Sequence, residues 1–415
     1  MTILLRKPLV GLLILLLAAL AWRLWPAETP RPLRIGILHA LSGPMAGSER
    51  GLVQAAQLAV EEINADGGLL GRTLEMVVAD SRSDWSHAAR EAARLLDEEE
   101  IDTLFACWTS SCRQAVRPQV EARQALMFYP LQYEGMEQSP QLVYLGAAPN
   151  QQIIPGTRWA MQHFGGRVYL IGSDYLFPRA ANQLIRDLVE LHGGRVLGER
   201  YVPMEATEFA SIAAEIEHLG ADVILNTING AANQHFFAAL ARHPVRPVVS
   251  FSIAEPELQQ LPKESFHPAH YAVWGYFQSL DDPVNHRFVA RFRARFGPAQ
   301  PVSDPVVSSY EAVQLWARAV REAGTARPAH LQRALHRVSL VGPSGIVALD
   351  ASTRHRWRSV HVGRARPDGQ FMVLERISET PVRPSPFPPQ RSLEEWRQLV
   401  ERIGHGGVPA HREAR

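Results

Sequence analysis

From Leu33 onward, short apolar runs suited to β-strands alternate with stretches whose apolar residues recur at helical spacing, and that alternation leaves few folds open. A strand, a helix and a second strand in succession close as a parallel pair, so a long series of such units makes parallel sheets covered by helices on both faces. Strands are predicted at 33–38, 73–80, 103–107, 125–129 and 143–145. A second series follows at 167–172, 195–201, 223–227 and 248–252, with a further run at 271–278. The first helix is carried by Leu52, Val53, Ala56, Ala59, Val60 and Ile63 on one stripe. Others are predicted at 83–99, from about Ser111, and at 178–192, 285–296, 308–323 and 329–338. The helix at 178–192 has Pro178 in its first turn and Gly193-Gly194 past its end, the start and stop asymmetry helices favour. Short strands at 345–349, 359–364 and 371–376 close the body. Two α/β lobes joined by more than one crossover is the simplest organisation of this order, and 415 residues are enough to give each its own core.

In open parallel sheets, ligands bind beyond the carboxyl ends of the strands. The stretch from Phe105 to Gly135 sends two such ends to one rim and delivers Trp108, Thr109, Ser110, Tyr129, Gln132 and Tyr133 there. A matching rim is expected from Gly172 to Pro178, from Asn226 to Gly230 and from Ser250 to Glu255, which supply Asp174, Tyr175, Phe177, Asn229 and Glu255. Facing rims enclose a cleft at the hinge, lined by rings and neutral polar groups with Glu255 as the main charge. Such a lining suits a small, planar, uncharged ligand. Ser110 and loop N–H groups would meet its carbonyl, and Glu255 would accept from its NH2. An amino acid would need a carboxylate site and an ammonium site together, and Ser110 with the helix after it could supply the first.

The chain begins with Arg6 and Lys7, an apolar run from Leu9, and Ala19-Leu20-Ala21. That is an export signal, or an uncleaved anchor over residues 9–25, with residues 26–32 as a proline-rich tether. The body is therefore expected in the periplasm, soluble or held to the outer face of the inner membrane. Cys107 and Cys112 are too few for a disulfide framework or a zinc site and read as two small core residues, a bridge between them being the alternative. A net charge of +1 offers no basic field for nucleic acid. Residues 380–389 read as an extended segment, and Leu393, Trp396, Leu399, Val400 and Ile403 as an amphipathic helix, with disorder beyond Gly404.

Enzyme chemistry finds little support. Amidase-type catalysis needs a lysine, and the one lysine in the body, Lys263, sits in a Pro262-Lys263-Glu264 turn. His267 and His270 lack metal-site spacing and read as solvated loop histidines. No Gly-x-Gly-x-x-Gly or Gly-Lys-Ser/Thr sequence is present, so nucleotide binding has no motif. No cofactor and no metal is implied.

Several stretches carry a family resemblance: GILHALSG (36–43), EEINADGGLLG (61–71), CWTSSCR (107–113), FYPLQYEG (128–135), APNQQIIP (148–155), GSDYLFPRAAN (172–182), NTINGAAN (226–233), SFSIAEPEL (250–258) and DGQF (368–371). In this order they resemble the type I periplasmic binding proteins over about residues 33–379. Within them they resemble the urea and short-chain amide group, which includes urea-transporter binding components and an amide-sensing regulator. Leu131 and Phe177 stand where the sensor has hydroxyl side chains and the urea proteins do not. The resemblance implies a two-lobed α/β fold, each lobe a mostly parallel sheet flanked by helices, with the ligand cleft at the hinge. It implies lobes at 33–148 with 277–345 and at 149–276 with 346–379, the segment 380–415 being a tail. It also implies capture of urea or a short amide by closure, and delivery to ABC transporter permease subunits. An anchored amide sensor is the alternative use, and a branched-chain amino acid binder is a weaker one.

Overall fold

The computed structural model describes residues 31–378 and 380–406. The signal or anchor expected over residues 9–25, and most of the tether, lie outside the described residues. Among those described, no helix is long and apolar enough to cross a membrane.

Two sheets organise the chain. The first has five parallel strands, β1 (Leu33–His39), β2 (Leu74–Asp80), β3 (Thr103–Ala106), β4 (Met127–Tyr129) and β5 (Leu142–Tyr144), in the order β2-β1-β3-β4-β5. The second is built from β6 (Arg167–Ser173), β7 (Arg195–Val202), β8 (Val223–Thr227), β9 (Val248–Ser250) and β10 (His270–Trp274). To these the chain adds β13 (His361–Ala365) and β14 (Phe371–Arg376), giving the order β14-β13-β10-β9-β8-β6-β7. Strands β6 to β10 run parallel, and β13 and β14 extend the edge antiparallel. Between β10 and β13 in sequence, β11 (Leu340–Gly342) and β12 (Gly345–Val347) form a hairpin of their own, where the sequence suggests one longer strand over 345–349.

The helix Asp304–Ala323 returns to the first sheet's side. There the Ser309 hydroxyl donates to the Leu52 carbonyl and the Tyr310 hydroxyl to Glu62, both on the helix Ala46–Ala65. The chain then crosses again to β13 and β14, so the hinge carries several strands of connection. Arg358 is buried there, donating to the Leu145 carbonyl and to the Ser308 hydroxyl at 3.0 Å and pairing with Asp304.

The order of strands fixes where a ligand can sit. In the first sheet the connections diverge at β1, whose neighbours β2 and β3 lie on opposite sides. In the second they diverge between β6 and β8. Loops that leave strand ends at such a switch part from one another and open a crevice. Four loops do so here: the one after His39, Cys107–Thr109, Asp174–Tyr175 and Ile228–Gly230.

The tail is extended as expected and runs along both lobes. Val382 pairs antiparallel with Arg358, and the Pro386 carbonyl accepts from the Met136 N–H at 2.7 Å. Arg391 grips Asp187 with two bonds of 2.7 Å. The final helix Leu393–Gly406 buries Trp396 completely, in the cluster that holds Leu184 and Leu188 of the helix Leu176–Leu191. It reaches two residues past Gly404, and the remainder lies outside the described residues.

A cleft between two sheets

The first rim is held rigidly. Cys107 takes a left-handed backbone conformation, φ +70°, and its sulfur is bonded to that of Cys112, with the Cα atoms 5.6 Å apart. The reading of these cysteines as separate core residues is therefore corrected. The strand end and the first turn of the next helix approach closely enough to bridge. Inside this small ring the Thr109 hydroxyl caps the helix Ser110–Ala122, accepting from the Cys112 N–H at 3.1 Å. Thr109 is thus committed to the backbone, and Trp108 and Ser110 on either side of it are the residues presented.

Trp108 reaches the other lobe: its indole N–H donates to Asn229 Oδ1 at 3.3 Å. Asn229 is set by its own N–H donating to Ser173 Oγ at 2.9 Å. Beside it Gly230 adopts φ +68°, and a Cβ there would come within 3.0 Å of the Pro44 carbonyl oxygen, so only glycine lets these loops meet. Gln132 donates to the Phe251 carbonyl at 3.1 Å. These bonds join residues of the first rim to residues of the second, so the structure is a closed conformer with the site sealed.

Tyr129 donates its hydroxyl to the Trp108 carbonyl at 2.7 Å. Tyr175 is buried at the start of the helix Leu176–Leu191, its ring 6.1 Å from that of Trp85 across the seam. Burial pushes the Tyr175 phenol well above its usual range, and Tyr129 and Glu134 are close enough to push it further. Trp108, Tyr129, Tyr175 and Asn229 therefore lie together.

Four predicted residues are placed differently. Asp174 lies on the surface, paired with Arg179 at 2.6 Å. Phe177 is packed in the second lobe's core. Tyr133 turns toward Tyr144 and His355, stacking on the first at 5.2 Å and donating to the Glu137 carbonyl at 3.1 Å. Glu255, expected as a rim carboxylate, is fully buried. Its Oε1 accepts from the Gln278 N–H at 3.0 Å, while its Oε2 is buried without a hydrogen-bond partner. Burial raises the Glu255 carboxyl to about 8, so at neutral pH it carries a proton. His267 and His270 are also corrected. Both are buried, His270 against the Phe237 ring at 4.6 Å, and burial lowers them to about 4 and about 3.

The charges that matter were not singled out from sequence. Glu134, the penultimate residue of FYPLQYEG, accepts from the Ser110 hydroxyl at 2.5 Å and from Arg113 at 2.8 Å. Arg113 has no exposed surface. It also donates to Ser110 Oγ at 3.1 Å and to Glu137 at 2.9 Å, with Tyr129 and Tyr133 under its guanidinium. Burial works against that guanidinium, but Glu137 and Glu134 outweigh it and keep it charged. Glu49 is buried too, accepting from the Ala40 N–H at 3.0 Å and bonded to His39 Nδ1 at 2.9 Å. The signal available was spacing: Arg113 lies three residues after Ser110 on one helix, on the same face.

A model of the periplasmic binding protein domain matches residues 33–393. The chain belongs to this family. Its members are periplasmic binding proteins. The family is periplasmic, a compartment in which a Cys107–Cys112 bridge persists. Among relatives, a Leu/Ile/Val-binding protein homolog of Brucella melitensis is 22% identical over 79% of this chain and 86% of that protein. A limonene hydroxylase of Geobacillus stearothermophilus is 28% identical, but over 32% of this chain and 26% of its own length. Among solved structures, an ABC transporter solute-binding protein of Rhodopseudomonas palustris in complex with p-hydroxybenzoic acid superposes with a TM-score of 0.76. It is 22% identical and covers 84% of this chain and 98% of its own. A branched-chain amino acid transporter protein of Streptococcus pneumoniae with isoleucine gives 0.74 at 19% identity, over 83% and 99%. At such identities the likeness is one of fold.

Proposed function

We propose that this solute-binding protein captures urea or a short-chain amide in the cleft and hands it to an ABC transporter permease. The observation that carries the reading is the bond from Ser110 to Glu134 at 2.5 Å. A serine hydroxyl has one proton and two lone pairs. The proton goes to Glu134 and one lone pair to Arg113, so toward the cleft Ser110 offers a single acceptor. That acceptor suits an NH2 group. A ligand carboxylate at the same place would find no hydroxyl proton and a carboxylate directly behind. p-Hydroxybenzoic acid and isoleucine, which neighbouring structures hold, both carry such a group.

This polarity reverses the roles expected of the two rims. Ser110 accepts from the ligand's NH2, and Glu255, protonated at neutral pH, is suited to donate to the carbonyl. Trp108, Tyr129 and Tyr175 would pack on the faces of the planar ligand.

Tryptophan fluorescence tests the reading, because Trp108 lies on the seam. Urea and acetamide should change its emission saturably, far below denaturing concentrations, and isoleucine should leave it unchanged. A saturable response to isoleucine with none to urea or acetamide would overturn the ligand class.

A further inference from the structure

A second cavity, of about 700 Å³, lies between the final helix and the first lobe, on the far side of Glu134 from Ser110. One wall is Leu393, Arg397 and Val400 of the final helix. The other is Arg117, Arg354 and the loop that carries Met136. Its volume is in the range of small-molecule sites, and Met136, Leu393 and Val400 give it an apolar part.

Its charges are unevenly answered. Glu137 is paired with Arg113 at 2.9 Å and Arg117 at 3.0 Å, though its Oε2 makes no hydrogen bond, Glu134 is paired with Arg113 at 2.8 Å, and Glu401 also lines the cavity. Arg354 has no such answer, its Nη1 being buried with no hydrogen-bond partner, whereas Arg117 is paired with Glu137 and its Nε, without a hydrogen bond, lies 3.6 Å from Glu121. A buried guanidinium N–H left unpaired is costly, and a bound anion removes that cost with charge-assisted bonds. Burial lowers the Arg354 pKa.

We propose that this cavity binds a small organic anion, a carboxylate on an apolar body, with Arg354 and Arg117 taking the carboxylate and Met136, Leu393 and Val400 the apolar part. The site also has a mechanical position. The final helix is packed on the second lobe through Trp396, in a cluster that also takes in Met136, whereas Arg117 belongs to the helix Ser110–Ala122 of the first. An occupant therefore touches both sides of the seam, and whatever binds there favours the closed arrangement by its differential affinity for it.

Isothermal titration of the full chain with sodium hexanoate tests this directly. Saturable binding of one hexanoate per chain is expected in the millimolar range or tighter, with hexanol, which lacks the carboxylate, binding markedly less. Arg354→Gln should weaken hexanoate roughly tenfold or more, the scale of a lost bond to a charged group. Arg397→Glu, on the exposed face of the final helix, places a negative charge at the mouth with little effect on folding and should also weaken binding. Absence of saturation with the native chain would overturn the proposal. So would hexanoate binding that survives both substitutions unchanged.

Discussion

At the residue scale, recognition in the proposed function is divided between Ser110 and Glu255. Removing the Ser110 hydroxyl takes away the acceptor and leaves Glu134 with Arg113 alone. Ser110→Ala should weaken urea roughly tenfold, the upper end for one hydrogen bond, in a titration at neutral pH. Glu255 makes a second prediction, about pH. An ordinary carboxyl ionises near 4.5, but the folded-state group holds its proton to about 8. Between those values the unfolded chain has released the proton and the folded chain has kept it, so this group lowers stability as pH rises through that window, by roughly 1.4 kcal/mol per unit. Glu255→Gln removes the effect. The melting temperature of the variant relative to native should climb steadily from pH 5 to pH 8, and a constant difference would show that Glu255 does not titrate this way. Little of this was visible in sequence. The sequence makes Glu255 a rim acceptor because a ligand NH2 needs one and Glu255 is the main charge among the strand-end residues. Here it is fully buried and bonded to the Gln278 N–H.

At the scale of elements, the disulfide and the Thr109 cap make one short rigid loop that aims Trp108 and Ser110. Closing so short a loop stabilises the fold by about 2 kcal/mol in the chain-entropy picture. A Cys107→Ser, Cys112→Ser double variant should therefore fold, melt modestly lower, and lose more urea affinity than its stability loss suggests. Unchanged affinity would mean the loop is held by packing alone. Strands were legible because runs such as LRIGIL at 33–38 are short and, Arg34 apart, without charge. Helices were less so. Ile153–Phe164 has Pro155 and Gly156 in its first turns, which read as loop, yet Pro155 sits where a helix needs no N–H bond. The short helix Glu255–Gln260 opens with Pro256, and it hides for the same reason. The bridge between β-ends at Trp108 and Asn229 joins residues 121 apart and has no local signal at all.

For the whole molecule, the closed seam requires an opening for ligand entry, and the strand crossings at Arg358 and Asp304 give it a hinge. Small-angle scattering should show the ligand-free protein more extended than this conformer, with its radius of gyration falling when urea saturates it. An identical radius in both states would mean that the lobes do not move. The two-lobed fold and its family were legible from the ordered motifs. The ligand class rests on the buried charges behind Ser110, which only the folded arrangement brings together. Isothermal titration with urea, isoleucine and 4-hydroxybenzoate, each against the same full-length protein, tests that class most directly. The account expects one-to-one saturable heat with urea and none from the cleft with either carboxylate. Tight binding of isoleucine or 4-hydroxybenzoate that Ser110→Ala abolishes, with no heat from urea, would contradict it.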